Sequence, residues 1–184
     1  MATTEPQGSR FTIITGGPGT GKTALIAELR RRGFPGTVEA GRAIIIDQTM
    51  IGGRALHTAD SALFAELMLA WEMRSYRMAE EDPAPAVFFD RGIPELTGYY
   101  RMLGLPVPPH VAAAARLFRY RQRVFLAPAW RQIFTTDPER TQNFADAIAG
   151  SQEARIAYES HGYEVISLPL APVCERADFV LANR

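Results

Sequence analysis

Lysine is nearly missing from this chain: 19 of its 20 basic residues are arginine, and the exception is Lys22. Cysteine is as scarce. Cys174 stands alone, which rules out an intrachain disulfide and any zinc cluster built on cysteines; with no base near it in sequence, it reads as inert packing. Charge of one sign is lacking too, because 20 basic and 20 acidic side chains cancel. No overall field would draw the protein to nucleic acid or to an anionic membrane, although a local basic cleft stays open. No apolar run approaches the roughly 20 residues that span a bilayer. Met1–Ser9 is polar, contains Pro6 and Gly8, and has none of the apolar core of a secretory signal. His57, His110 and His161 have no mutual spacing that suggests a metal site. Together the absences predict a soluble, cytoplasmic protein with no nucleic-acid or membrane partner.

Against that background the setting of Lys22 carries the most information. It lies in GGPGTGKT, Gly16 to Thr23, which fits the phosphate-loop pattern GxxxxGK[ST]. The glycines let a loop wrap so that backbone N–H groups point inward around an anion, and a following helix adds the positive end of its dipole. Lys22 then reaches the β- and γ-phosphates as a compact point charge, for which the planar fork of arginine is a poor substitute. The Thr23 hydroxyl is placed to ligate Mg²⁺. Gly17, Pro18, Gly19, Thr20, Gly21, Lys22 and Thr23 are thus the expected nucleotide-binding set.

The flanks agree. Arg10–Thr15 is a β-branched, apolar run that reads as a buried strand, and Thr23–Arg32 reads as a helix with Leu25, Ile26 and Leu29 on one face. Thr37–Glu39 follows as a short second strand, then a helix over 41–50, although Ile44–Ile46 also fits a strand. A long helix is expected from Thr58 or Asp60 to Ala79, with Phe64 and Trp71 in an aromatic stripe that reads as core. Ala86–Asp90 is the third strand, and Pro94 opens a helix to Leu103. Helix over 110–120, strand over 123–126, helix over 138–161 and strand over 163–168 complete the alternation before a terminal helix over 173–181. Strands alternating with helices imply an α/β fold, with a parallel sheet covered on both faces. The length of 184 residues and 47% hydrophobic content suit one domain with a real core.

Further chemistry gathers at strand ends, where ligands of parallel sheets bind. Asp90 closes the third strand and would face the Mg²⁺ held by Thr23. Arg91 beside it is suited to stabilise charge on a transferred group, or else to pair with Asp90 or Glu95. Glu39, at the end of the presumed second strand, could orient or deprotonate an acceptor hydroxyl, with Arg42 helping to bind the acceptor and Asp47 as a further carboxylate. The segment Trp130–Arg140 offers Arg131 and Arg140 as lid arginines able to reach the nucleotide, while Asp137 before Pro138 is a helix N-cap.

These residues resemble AAA-like phosphate-loop proteins related to the kinase domain of ribosylnicotinamide kinase. The resemblance rests on GGPGTGKT, VEAGR (Val38–Arg42), VFFDRG (Val87–Gly92), FLAPAW followed by DPER (Phe125–Arg140), and GYEVISLP (Gly162–Pro169). It implies a three-layer phosphate-loop NTPase fold, a five-stranded parallel sheet of order 2-3-1-4-5 with helices on both faces and a lid segment. It further implies a flexible stretch over 1–9 and a single kinase-like domain over 10–184. The loop lysine and hydroxyl would bind ATP and Mg²⁺, Asp90 and Arg91 would lie at the metal and the transferred phosphate, and Pro169 would form one wall of the adenine site.

Two activities fit. One is an ATP-dependent kinase transferring the γ-phosphate to a small, nucleoside-like hydroxyl acceptor, with Lys22, Asp90, Arg91, Glu39 and Arg140 as the catalytic set. The other is an ATPase or nucleotide-dependent switch acting through a partner protein. A ring-forming AAA machine carries an acidic pair where this chain has Asp90-Arg91, and a guanine-specific GTPase usually carries NKxD, which a chain with one lysine in its phosphate loop cannot contain.

Overall fold

A strand whose residues are buried at every position lies inside a sheet covered on both faces, and the first strand does so. The structure, a computed structural model, describes residues 8–134 and 143–184. Strand β1 (Phe11–Thr15) is buried throughout. It is followed by α1 (Lys22–Arg31), α2 (Ala40–Ile51), α3 (Ser61–Glu81), β2 (Val87–Asp90), α4 (Glu95–Met102) and α5 (Pro109–Leu117). Then come β3 (Arg123–Leu126), α6 (Phe144–Ser160), β4 (Glu164–Ser167) and α7 (Val173–Asn183).

The strands form one parallel sheet of order β2-β1-β3-β4. The two faces of β1 divide the core. Ile14 joins Leu25, Ile26 and Leu29 of α1 and Ala177 and Val180 of α7 on one side. Phe11 and Ile13 join Tyr76 of α3, Tyr120 and Tyr158 of α6 on the other. The expected stripe of α1 is therefore the buried one, and period-two alternation assigns each β1 residue to its layer. Because β2 and β3 flank β1, the chain switches direction across the sheet at the carboxyl end of β1, where the glycine loop emerges.

One expectation is corrected. The sheet has four strands, not five in the order 2-3-1-4-5, because Thr37–Glu39 does not form a strand. At the place where it would lie, Gly36 makes a single parallel bridge to Phe88. Phe88 N–H donates to the Pro35 carbonyl at 2.9 Å and Thr37 N–H donates to the Phe88 carbonyl at 2.8 Å. Pro35 has no N–H of its own, glycine weakens strands, and α2 starts at Ala40, so the pairing ends after one residue. Ile44–Ile46 accordingly belongs to α2, with Ile44 buried.

Helix ends follow local chemistry. Asp60 caps α3, its carboxylate accepting from Leu63 N–H at 3.0 Å. Asn143 and Asp146 form a reciprocal capping box at the start of α6, which begins later than Pro138. Asp137 and Pro138, where that helix start was expected, lie outside the described residues. At the end of α6, Gly162 adopts φ +81° and Tyr163 N–H returns to the Tyr158 carbonyl at 3.1 Å.

Candidate active site

The glycine loop is held by its own groups and by a neighbouring helix. Gly19 and Gly21 sit at φ +68° and +81°, the left-handed region that side chains disfavour. Thr20 Oγ1 donates to the Gly17 carbonyl at 2.9 Å. Helix α6 leans directly on the loop: Gly17 N–H donates to Ser151 Oγ at 2.9 Å, and a Cβ on Gly17 would stand 2.1 Å from the Ala147 carbonyl oxygen. Gly17 is thus glycine for close approach.

Lys22 is buried, and its Nζ donates to the carbonyls of Gly16 (2.9 Å) and Gly17 (2.7 Å). Burial, and then the neighbouring Arg91, lower its pKa to about 8. The ammonium is therefore held by loop carbonyls at the mouth of the anion-binding turn. Thr23, one residue on, is exposed in the first turn of α1.

Asp90 ends β2 beside Ile14, within the electrostatic reach of Lys22. Its N–H donates to Thr37 Oγ1 at 3.0 Å, and it is buried with Oδ1 lacking a hydrogen-bond partner among the described residues. Desolvation pushes its carboxyl up to about 6 against the pull of Lys22. The orphaned carboxylate oxygen of Asp90 and the exposed Thr23 hydroxyl are the kind of hard oxygen donors that suit a Mg²⁺ held mainly by nucleotide phosphates and waters. Among the described residues no group of three or more acids, histidines or cysteines forms an all-protein metal cage.

Arg91 adopts φ +71°, alone among the described non-glycine residues. Its Nε donates to Glu39 Oε1 at 3.2 Å, and its Nη1 donates to Glu95 Oε1. The two carboxylates keep it charged. Glu95 is in turn fixed by Thr15 Oγ1 (2.6 Å) and the Tyr158 hydroxyl (3.2 Å), both donating to Oε2. Glu39 precedes the first residue of α2, so the early end of the second segment brings it over Arg91.

Beside the loop lies a cavity of about 440 Å³, walled by α2, α3, α4 and α6. Gly17 and Pro18 form one end, Glu39, Arg91 and Glu95 stand on its wall, and Ile45, Phe64, Met68, Leu96, Tyr99 and Leu103 supply apolar surface. Such a volume suits a small molecule.

The structure brings Gly17, Lys22, Asp90, Arg91 and Glu39 together, and Arg42 also lines the cavity. Arg131 is exposed and stacks on Phe144, 4.2 Å from the ring centroid, and does not line the cavity. Pro169 is half-buried just after β4. Arg140 lies outside the described residues. Asp47 is exposed on α2 and is not part of the cavity. Phe64 is buried as the stripe predicts, yet it also faces the cavity, and Cys174 is exposed rather than packed. Residue types alone missed Glu72, Ser151 and Arg176. Glu72 interrupts the apolar period of α3, and Arg176, with an unpartnered Nε, interrupts that of α7 beside Gly21. A charged residue on a buried stripe was the available signal. Ser151 gave none.

A glycine loop leaving the central strand of a parallel sheet, with a buried lysine at its helix start and an aspartate ending the adjacent strand, defines a phosphate-loop NTPase fold. Residues 11–176 match the family model described as an AAA domain, and the chain belongs to that family. No curated protein matches it. Among solved structures, deoxyadenosine kinase from M. mycoides with products dCMP and a flexible dCDP is 11% identical, covering 94% of this chain and 97% of that one, with a TM-score of 0.64. NadR protein in complex with NR is 18% identical over 95% of this chain, with a TM-score of 0.68; this chain spans 50% of it. The same protein with NAD and AMP-PNP gives a TM-score of 0.67 at 17% identity, 95% of this chain and 49% of that one being covered. At these identities the likeness is one of fold. Among the described residues no helix is long and apolar enough to cross a membrane.

Proposed function

We propose that residues 10–184 act as one kinase domain that uses ATP and Mg²⁺ to phosphorylate a hydroxyl of a small, nucleoside-like acceptor. The observation that carries this reading is the cavity that opens from Gly17 and Pro18 and is lined by Glu39 and Arg91. A plain ATPase needs no such pocket beside its phosphate loop.

In this reading Lys22 exchanges its two loop carbonyls for the β- and γ-phosphate oxygens. Thr23 and Asp90 are the residues that would hold Mg²⁺, which would supply neutralisation of charge on the phosphates. Glu39 takes the proton of the acceptor hydroxyl as that oxygen bonds to the γ-phosphorus, while the bond from phosphorus to the β,γ-bridging oxygen breaks and ADP leaves. Arg91, fixed between Glu39 and Glu95, lies where it can neutralise the oxygens of the phosphoryl group in flight. Arg131 and Arg140, the latter outside the described residues, are proposed to contact the nucleotide phosphates, and Pro169 to form the adenine wall.

ATP consumption measured with and without a panel of nucleosides tests the proposal. A kinase yields phosphorylated acceptor and ADP in equal amounts and turns over slowly without acceptor. Acceptor-independent hydrolysis at the full rate would replace it with the ATPase or switch reading.

A further inference from the structure

The acceptor cavity contains a carboxylate that the phosphoryl transfer does not use. Glu72 is 4% exposed, lines the cavity, and its Oε2 has no hydrogen-bond partner among the described residues. We propose that Glu72 is the specificity residue of this pocket and receives an ammonium group lying beside the hydroxyl to be phosphorylated, so that the acceptor is a hydroxylated amine. The inference rests on the kinase reading and adds the chemical class of the acceptor.

Position supports it first. Phe64, Met68 and Glu72 occupy successive turns of α3 and all face the cavity, so they mark its length over about 12 Å at 1.5 Å per residue. The charged groups that Glu72 feels are Asp90, Glu95, Arg91 and Glu39, all at the transfer end. A group bound by Glu72 is therefore close to the reacting hydroxyl, not at the far end beside Phe64.

Charge supports it second. The cavity is lined by five carboxylates, Glu39, Glu72, Glu95, Asp146 and Glu153, against the guanidinium groups of Arg42 and Arg91. Arg91 is already engaged by Glu39 and Glu95, and Glu153 lies 3.5 Å from Arg101 Nε. Glu72 is left as a buried acid among acids. Desolvation, and then Asp90, Glu95 and Glu39, raise its pKa well above the ordinary carboxylate range, against the opposing pull of Arg91. A hydroxyl ligand leaves that acid in its protonated, uncharged form, whereas an ammonium stabilises the ionised carboxylate and pairs with it.

Matched probes test this: 3′-amino-3′-deoxyadenosine against adenosine, and glucosamine against glucose, each assayed for phosphorylation and for binding by calorimetry. The amine of at least one pair is expected to have the higher kcat/KM, and Glu72→Gln to lower the amine-over-hydroxyl ratio by about tenfold or more. Glu72→Asp, which keeps the charge, is expected to restore part of the ratio. Unchanged ATP affinity in each variant verifies the fold. If wild type phosphorylates the neutral member of both pairs as well as the amine, or if Glu72→Gln keeps the wild-type ratio, the inference is overturned while the kinase reading stands. If no nucleoside or sugar in a wider panel is phosphorylated and ATP is hydrolysed regardless, the kinase reading falls and takes this inference with it.

Discussion

On the phosphate-loop side the polar groups are main-chain amides and carbonyls with one ammonium, set in eight consecutive residues, Gly16–Thr23. On the cavity side they are carboxylates and guanidiniums drawn from α2, α3, α4 and α6 and the residues that flank them. The first half depends on backbone conformation and tolerates little change in volume. The second depends on which side chains project into a shared space, so it can be retuned by substitution without refolding the loop. The two meet at Arg91 and at Gly17.

The largest expected effect strikes the loop side. Lys22→Ala should slow phosphoryl transfer by about 10² or more, roughly 3 kcal/mol of transition-state stabilisation, and Lys22→Arg should not rescue it. Near-normal steady-state rates in Lys22→Ala would remove the lysine from the mechanism. Glu39→Gln tests the acceptor half alone: transfer should fall by about 10² with ATP affinity kept, and equal loss of both would mean the halves are not separable.

Gly17→Ala attacks the joint between loop and α6, since its Cβ would meet the Ala147 carbonyl at 2.1 Å. A destabilisation of about 1–3 kcal/mol should appear in denaturant unfolding, and an unchanged midpoint would show that α6 yields freely.

The pH dependence is sharper for the loop than for the cavity. Lys22, lowered to about 8, loses its charge in the empty protein as pH rises through that value, so ATP affinity should fall by about tenfold per unit above it. Stability moves in the opposite sense. A base whose folded pKa lies below its ordinary 10.5 is costly while charged, below about 8, and that cost is relieved between about 8 and 10.5. Calorimetric titrations that give one affinity from neutral to strongly alkaline pH would contradict the burial of Lys22. Smallest of all, Ser151→Ala removes the acceptor of the Gly17 N–H and should cost about 1 kcal/mol in stability, read as a shift of the unfolding midpoint.

The same contrast explains what the sequence could reveal. The phosphate loop is encoded contiguously, so Lys22 and its glycines were readable from spacing alone, and Asp90 from its place at the end of an apolar strand. The cavity wall joins residues from 39 to 154 through tertiary packing. The i,i+4 spacing of Arg91 and Glu95 offered that pair, and the structure makes it, but no spacing announces that Glu39 holds Arg91 as well, or that Ser151 accepts from the loop. Glu72 stands as a charged residue on the buried stripe of α3, a signal that marks it out without saying what surrounds it. The missing second strand had the reverse fault: Thr37-Val38 has strand propensity, but only three residues separate Gly36 from Ala40, and Val38 is 54% exposed.

That shortened segment has a use beyond placing Glu39. Strand β2 is one of the two edge strands of the sheet, and an apolar outer strand with free amides invites a second molecule to add to it. Here the outward N–H groups of Phe88 and Asp90 are taken by the Pro35 carbonyl and by Thr37 Oγ1. A proline, one bridge and a threonine hydroxyl thus seal this margin against cross-molecular β-pairing and aggregation.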